Sequence, residues 1–190
     1  MASTKVVTGL VRFSYVNIAS PRSFNDGQDP KYSMCVMVPK KDKKTLAKIK
    51  SAVKAASEEG VSKCWNGKHP SNLHMPLRDG DEERADESPE FKGMWFFNCS
   101  TKRKPGVVDR EKNEILDLDE VYSGCWGRVS VNFYPYSVSG NKGVAAGLNN
   151  VLKWKDGERL GGSAASAEDD FNDDFSLEED DDFNIDDTPF

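Results

Sequence analysis

The sequence lacks any long apolar run, and it has few cysteines. No stretch of its 190 residues approaches the roughly 18 consecutive apolar side chains that span a bilayer, and residues 1–5 do not begin a secretory signal. We therefore expect a cytoplasmic protein with no membrane partner. The four cysteines form no Cys-x-x-Cys pair, so the sequence predicts neither a disulfide scaffold nor a zinc ribbon.

Basic residues are absent from the C-terminal end of the chain. Residues 161–190 contain 12 Asp and Glu and no Lys or Arg, whereas residues 1–160 contain 26 basic and 20 acidic residues. The first 160 residues therefore carry a net charge of +6, although the whole chain carries −6. This asymmetry is typical of a body that contacts nucleic acid and a tail that contacts proteins.

The composition also divides the chain into two parts. After Leu160 the sequence is rich in Gly, Ser, Ala, Asp and Glu, which cannot bury enough apolar area to offset the entropy of ordering. We expect one domain over residues 1–160 and a disordered acidic tail over residues 161–190.

Five strands and one helix are predicted for the domain. Asp42 is a candidate N-cap of the helix, and Gly60 is its candidate stop. Residues 60–90 show so little periodicity that we expect a long acidic loop there. These elements predict a small, mainly β barrel. The amphipathic helix is predicted from the spacing of Leu46, Ile49, Val53 and Ala56. The strands are predicted at Lys5–Ile18, Lys31–Val38, Met94–Thr101, Val121–Tyr136 and Gly143–Trp154.

The strand predicted over Val121–Tyr136 carries most of the candidate binding residues. Its odd positions are mostly apolar and suit a core, whereas its even positions place aromatic rings beside a cation and polar groups. Such a face offers π surfaces on which the bases of a single strand stack, and cations for its phosphates. The even-position candidates are Tyr122, Trp126, Arg128, Asn132, Tyr134 and Tyr136.

Further cations extend this candidate surface. Arg12 is the cation on its face of the first predicted strand, and we expect it to lie beside the aromatic residues. Lys102, Arg103 and Lys104 follow the end of the strand at Thr101, where they are placed to clamp phosphates.

Two alternatives to this surface stay open. Trp126 and Tyr134 could instead belong to a second core, packed by the loop or by a partner subunit. A bulge at Gly124 or Gly127 would reverse the parity of the strand.

Five longer segments extend over nearly the whole domain: Arg12–Tyr15, Pro76–Glu82, Lys104–Asp109, Tyr122–Arg128 and Gly140–Asn150. Together they resemble a family of tailed-phage single-stranded-DNA-binding proteins. The resemblance implies an OB-fold barrel that coats single-stranded DNA during phage replication, recombination and repair, in the cytoplasm of the infected host cell. It does not indicate which side chains contact the bases.

The chain ends in Asp186-Asp187-Thr188-Pro189-Phe190. This ending is similar to the acidic tip of bacterial single-stranded-DNA-binding proteins, with Thr188 where those tips carry an apolar residue. We expect Asp186, Asp187, Pro189 and Phe190 to bind replication or recombination proteins of the phage, because a ring and a free carboxylate on one residue fit a pocket with a basic rim. The tail is also expected to compete with DNA for the cations of the domain.

The sequence supports other classes of function less well. Closely spaced carboxylates suggest a metal-dependent nuclease, but no positioned base accompanies them, and the cysteines and histidines lack the spacing of a zinc site. We therefore expect no enzyme, no cofactor and no metal. A strand-annealing or recombination-mediator protein would share the aromatic surface, so that class stays open, as does a homodimer. The carboxylates are Asp79, Asp81, Glu82 and Glu83, and the zinc candidates are Cys64, His69, His74 and Cys99.

Overall fold

The computed structural model describes residues 3–23 and 25–160, and strands predominate among them. The prediction of a disordered tail over 161–190 lies outside the described residues. The helices are α1 (Lys43–Lys63) and the short α2 (Gly80–Glu83), with 3-10 turns at Pro89–Phe91 and Leu118–Glu120. The strands are β1 (Lys5–Val7), β2 (Val11–Arg22), β3 (Lys31–Pro39), β4 (Arg78–Asp79), β5 (Met94–Thr101), β6 (Gly106–Val108), β7 (Trp126–Val138) and β8 (Asn141–Lys155).

Five strands close into a ring in the order β2, β3, β5, β8, β7 and back to β2. All neighbours in the ring are antiparallel except β5 and β8, which run parallel. The shorter strands extend this sheet, β1 beside β7, β4 beside β5 and β6 beside β8. The prediction of a mainly β, OB-fold-like fold with five principal strands and one amphipathic helix is confirmed.

The core fills the inside of the ring, and α1 covers it. Phe97 of β5 and Phe133 of β7 meet there with ring centroids 5.7 Å apart. Helix α1 packs mainly on β7 and buries the apolar face that its spacing predicted, including Leu46 and Ile49. Burying one such side chain stabilises a fold by roughly 1.5–3 kcal/mol. The predicted N-cap is also correct, since the Asp42 carboxylate accepts a hydrogen bond from the Thr45 amide at 3.1 Å.

The predicted end of α1 is wrong. The helix continues through Gly60 to Lys63, and the Cys64 amide donates to the Gly60 carbonyl at 2.8 Å. Gly60 is buried, and a Cβ there would lie 2.6 Å from the ring of Trp65. This glycine therefore allows close packing of the helix on Trp65, and it does not terminate the helix.

The long loop predicted over residues 60–90 is wrong in part, because only residues 64–77 and 84–88 contain no helix or strand. The segment contains the last turn of α1, β4, α2 and a 3-10 turn. It folds over the outer face of the sheet, where Phe91 packs edge-on against Phe96 with centroids 5.1 Å apart. With Cys35 and Met37 these rings form a second, smaller apolar cluster. Long-range packing of this kind leaves no local periodicity in the sequence.

The first predicted strand is divided. Between β1 and β2 the chain bends at Gly9, whose amide donates to the Thr45 hydroxyl at 2.9 Å. A Cβ on Gly9 would lie 2.8 Å from a carboxylate oxygen of Asp42. The strand is therefore interrupted where the N-terminus of α1 is packed against it.

The strand predicted from Val121 begins only at Trp126, so Tyr122 precedes it. Gly124 lies in this turn with a φ of +117°, and its amide donates to the Phe13 carbonyl at 2.7 Å. A glycine adopts this conformation without steric cost, which explains why the extended strand starts after it.

Candidate nucleic-acid interface

A groove of about 1300 Å³ crosses the outer face of the ring from β2 to β7. Its floor is built from small and polar side chains on β3, β5 and β8. Representative floor residues are Ser33, Asn98, Ser100 and Ala145.

Strand register explains why these side chains share one face. Ser33 pairs with Ser100 across β3 and β5, and alternation sends their neighbours Met34 and Cys99 into the core. On β8, Ala145 faces outward between buried residues. The floor is therefore shallow enough for a polymer to lie against the backbone of the sheet.

Aromatic side chains stand on both sides of this floor. Tyr136 of β7 lines the groove at one side, and Tyr15 of β2 lines it at the other. Tyr15 is 57% exposed. Between Ser14 and Asn17 the register of β2 slips by one residue against β3, which is a β-bulge.

The bulge directs Tyr15 outward at a cost in backbone strain. Strict alternation from the buried Phe13 would place Tyr15 in the core, but the extra residue turns it to the groove. Its φ of +46° lies in the left-handed region, which is rare for a bulky residue. Strain of this kind concentrates at functional sites.

Two arginines of the segment between α1 and β5 also line the groove. The guanidinium carbons of Arg78 and Arg84 lie 5.2 and 5.7 Å from the centroid of the Phe96 ring. Arg78 pairs with Glu83. Beside them, burial raises the pKa of the Cys35 thiol to about 12, so this groove-lining thiol is neutral at physiological pH.

Residues 73–91, here called the wall segment, border the groove, and two contacts hold them there besides the pairing of β4 with β5 and the packing of Phe91 on Phe96. His74 bridges to β8, with its amide donating to the Lys142 carbonyl at 3.0 Å. The Lys40 ammonium binds Asp79 and Asp81, each at 2.7 Å. Its hydrogen bonds hold the pKa of both carboxyls below the usual range. These two carboxylates, predicted as metal-ligand candidates, therefore bind a lysine.

A family model described as Enterobacter phage Enc34, ssDNA-binding protein, matches residues 4–184. The chain belongs to this family. A single-stranded DNA-binding protein from bacteriophage Enc34, solved in complex with ssDNA, is 26% identical with a TM-score of 0.73, over 83% of this chain and 90% of that one. Protein p50 of Acyrthosiphon pisum secondary endosymbiont phage 1 is 28% identical over 89% of this chain and 93% of its own length.

A more distant structure has the same fold. The gp2.5 protein of bacteriophage T7, described as a single-stranded DNA binding protein, is 18% identical with a TM-score of 0.59. The match covers 92% of this chain and 96% of that one. Membership of the Enc34 family agrees with the resemblance found in the sequence.

Strand β7 shows the alternation that was predicted for it. Val129, Val131 and Phe133 are buried in the core, and the even side chains face outward. Tyr136 lines the groove, and Tyr134 lies beside it with 40% of its surface exposed. The sheet is continuous from Tyr134 to the floor, because Tyr134 pairs with Ala145 of β8. The predicted face and the groove are therefore neighbours.

The remaining even residues of β7 lie further from the groove. The Arg128 guanidinium donates to the Thr8 carbonyl at 2.8 Å, and its side chain is exposed. The Asn132 amide oxygen accepts a hydrogen bond from the Thr4 hydroxyl at 3.3 Å. Both side chains face β1, which pairs with β7 on this side.

Arg12, Tyr122 and Trp126 form a separate cluster at the seam between β2 and β7. The Arg12 guanidinium donates to the carbonyls of Gly124 and Glu158 and lies 5.8 Å from the Trp126 ring centroid. The Tyr122 hydroxyl donates to the Gly157 carbonyl at 2.9 Å. Arg12 and Tyr122 therefore fix residues 157–158 to the ring, and none of the three residues lines the groove.

The three predicted phosphate clamps lie just beyond the floor. Lys102, Arg103 and Lys104 are exposed after β5, two to four residues past the floor residue Ser100. The Lys102 ammonium binds the Asp29 carboxylate at 2.8 Å, which lowers the pKa of that carboxyl. Lys102 thus joins the β2–β3 connection to this end of the groove. The predicted partner-binding residues Asp186, Asp187, Pro189 and Phe190 lie outside the described residues.

Within residues 3–23 and 25–160, no three His, Cys, Asp or Glu side chains converge as metal ligands would. The zinc candidates Cys64, His69, His74 and Cys99 are accordingly not brought together. No helix in the described part of the chain is long and apolar enough to cross a membrane.

Sequence reasoning missed Tyr15, Arg78, Arg84 and the floor of the groove. The arginines lay in the segment predicted as a loop, and no single floor residue is of a type that indicates DNA binding. Tyr15 was missed because its outward direction depends on the bulge in β2, and nothing in the sequence of β2 marks a bulge there.

Proposed function

We propose that this protein binds single-stranded DNA in the groove, without strong sequence preference. The observation that carries the proposal is the shallow polar floor of β3 and β5 between Tyr15 and Tyr136, with arginines at its border. In OB folds the face of the second and third strands, here β3 and β5, binds oligonucleotides. The Enc34 relative solved with ssDNA supports the same ligand.

The chemistry of the groove suits a strand of any sequence. Tyrosine rings stack on every base, at about 1–3 kcal/mol per base, because all bases have a π face. Arg78, Arg84 and the cations at Lys102–Lys104 neutralise phosphates, which carry no sequence information. In the same proposal the predicted residues Tyr134, Asn132 and Arg128 extend this surface along β7, and Arg12, Tyr122 and Trp126 form a second contact at the β2–β7 seam.

The tail and the body have complementary roles in this proposal. Residues 161–190 carry 12 negative charges beside a domain of net charge +6, so the tail competes with DNA for the same cations. When DNA displaces it, Asp186, Asp187, Pro189 and Phe190 become free to recruit replication or recombination proteins. The protein then protects single strands during phage replication, recombination and repair in the cytoplasm of the infected cell, and it catalyses no reaction.

A fluorescence titration tests this function. Trp95 lines the groove, so bound DNA is expected to change tryptophan emission. The full chain is titrated with dT, duplex DNA and RNA oligomers of equal length at two salt concentrations. We expect the single DNA strand to bind most tightly, and the affinity to fall with salt as counterions are released. Equal or tighter binding of duplex would contradict the proposal.

A further inference from the structure

Lysines are concentrated at the start of helix α1. Residues 40–54 contain seven lysines and one acid, Asp42, a net charge of +6. Asp42 caps the helix, and Lys40 binds the two aspartates of the wall segment. In the described ranges 3–23 and 25–160, the other six make no ion pair. These six are Lys41, Lys43, Lys44, Lys48, Lys50 and Lys54.

The lysines of α1 lie on two flanks of its exposed face. Lys43, Lys50 and Lys54 are separated by two turns and then one, so they form a single stripe about 16 Å long, the Lys43 stripe. Lys44 and Lys48 lie on the other flank. Lys50 and Lys54 line a cavity of about 360 Å³ between α1 and residues 69–77, whereas Lys44 and Lys48 do not.

These charges oppose the stability of the helix that carries them. Lys43 and Lys44 lie in a first turn that contains no acidic residue, at the positive end of the helix dipole. Lys50 and Lys54 stand four residues apart, where like charges repel each other. A helix shaped by stability alone carries acids in its first turn as well as at its cap, and α1 has only the cap, Asp42. The arrangement therefore indicates a polyanionic ligand.

The cavity beneath the Lys43 stripe is continuous with the groove. Met75 and Leu77 line both. The Lys50 ammonium also lies 5.5 Å from the ring centroid of Trp95, which lines the groove. Glu58 is the acid among the residues that line the cavity, and it follows Lys54 by one turn, where the stripe ends.

We propose that the strand held in the groove continues over Met75 and Leu77, and that the Lys43 stripe binds its phosphates. The interface is then longer than the groove, and α1 is part of it. This inference rests on the proposed function, because the polyanion is the same single strand.

The test compares two variants of the full chain on two dT oligomers. One oligomer has about 8 nucleotides, within the 4–16 that an OB fold holds, and the other has about 25. Lys43→Gln/Lys54→Gln removes two charges from the stripe and leaves Lys50 on Trp95. Lys44→Gln/Lys48→Gln removes two from the other flank as the matched control. Glutamine and lysine have similar helix propensities, so both variants should fold, with a Tm equal to or above that of the unaltered protein.

For the long oligomer, the stripe variant should flatten the slope of log affinity against log salt by about 1.4, since each phosphate contact contributes about 0.7. Its affinity for the short oligomer and both affinities of the control should be unchanged. Equal effects in the two variants, or no effect in either, would refute the proposal that the Lys43 stripe binds phosphates. Failure of the unaltered protein to bind either oligomer would instead refute the proposed function.

Discussion

Replacing Tyr15 separates its expected role in binding from its role in the fold. The ring is 57% exposed, so its removal in Tyr15→Ala should change the free energy of unfolding by less than about 0.5 kcal/mol, as at other surface positions. The same change should remove a stacking contact worth about 1–3 kcal/mol, which is a loss of affinity of about 5- to 150-fold. Tyr15→Phe keeps the ring and should keep the affinity.

Tyr15→Gly adds a second, opposite effect. At a φ of +46° a side chain costs about 1–2 kcal/mol, and glycine is free of that strain. Glycine also loses about 0.5–1 kcal/mol in chain entropy. The Gly variant should therefore be as stable as the unaltered protein or up to about 1.5 kcal/mol more stable, while it binds DNA as weakly as the Ala variant.

Urea unfolding and fluorescence anisotropy with labelled dT measure the two effects. Trp154→Ala is the aromatic control, because Trp154 is 41% exposed and does not line the groove. An unaltered affinity in Tyr15→Gly would remove Tyr15 from the interface. A marked loss of stability in that variant would mean that the ring serves the fold and that the bulge has no functional reason.

Four further predictions concern other parts of the chain. Trp126→Ala and Tyr134→Ala should each weaken binding to dT without a large fall in Tm, and a fall in Tm with unchanged affinity would assign the ring to packing. Replacing Lys102, Arg103 and Lys104 with Ala should flatten the salt slope by about 2, since each contact gives about 0.7; an unchanged slope would exclude them. Deleting residues 161–190 should tighten binding to single-stranded DNA, most at low salt. Equal affinities of the full-length and deleted proteins at low salt would refute the competition between the tail and DNA. Removing Phe190 alone should abolish pull-down of phage replication proteins and leave DNA affinity nearly unchanged. If those proteins still bind without Phe190, the proposed role of the last residues in recruiting them is refuted.

Patterns that are local in the sequence predicted the fold well. The alternation of β7 was readable because its core positions, Val129, Val131 and Phe133, are apolar and its outer positions are not. The spacing of apolar residues likewise located α1. The sheet order depends on pairing between distant strands, and the family resemblance supplied the OB-fold class.

Features that depend on distant contacts could not be predicted. The wall segment reads as an acidic loop until Lys40, about forty residues earlier, is seen to bind Asp79 and Asp81. The floor of the groove exists only because the register places Ser33 beside Ser100. The outward direction of Tyr15 depends on a single extra residue in β2. That residue breaks the alternation of inward and outward side chains, which predicted the faces of β7 correctly.

Photo-crosslinking tests most directly whether the single strand lies in the groove. A dT oligomer carrying 5-iodouracil is irradiated with the full chain, and the crosslinked residues are identified by mass spectrometry. The groove predicts crosslinks at Tyr15, Tyr136 or Trp95, which line it, and none at the exposed Trp154, which does not. Crosslinks confined to Trp154, or to Trp126 at the β2–β7 seam, would contradict the groove as the binding site.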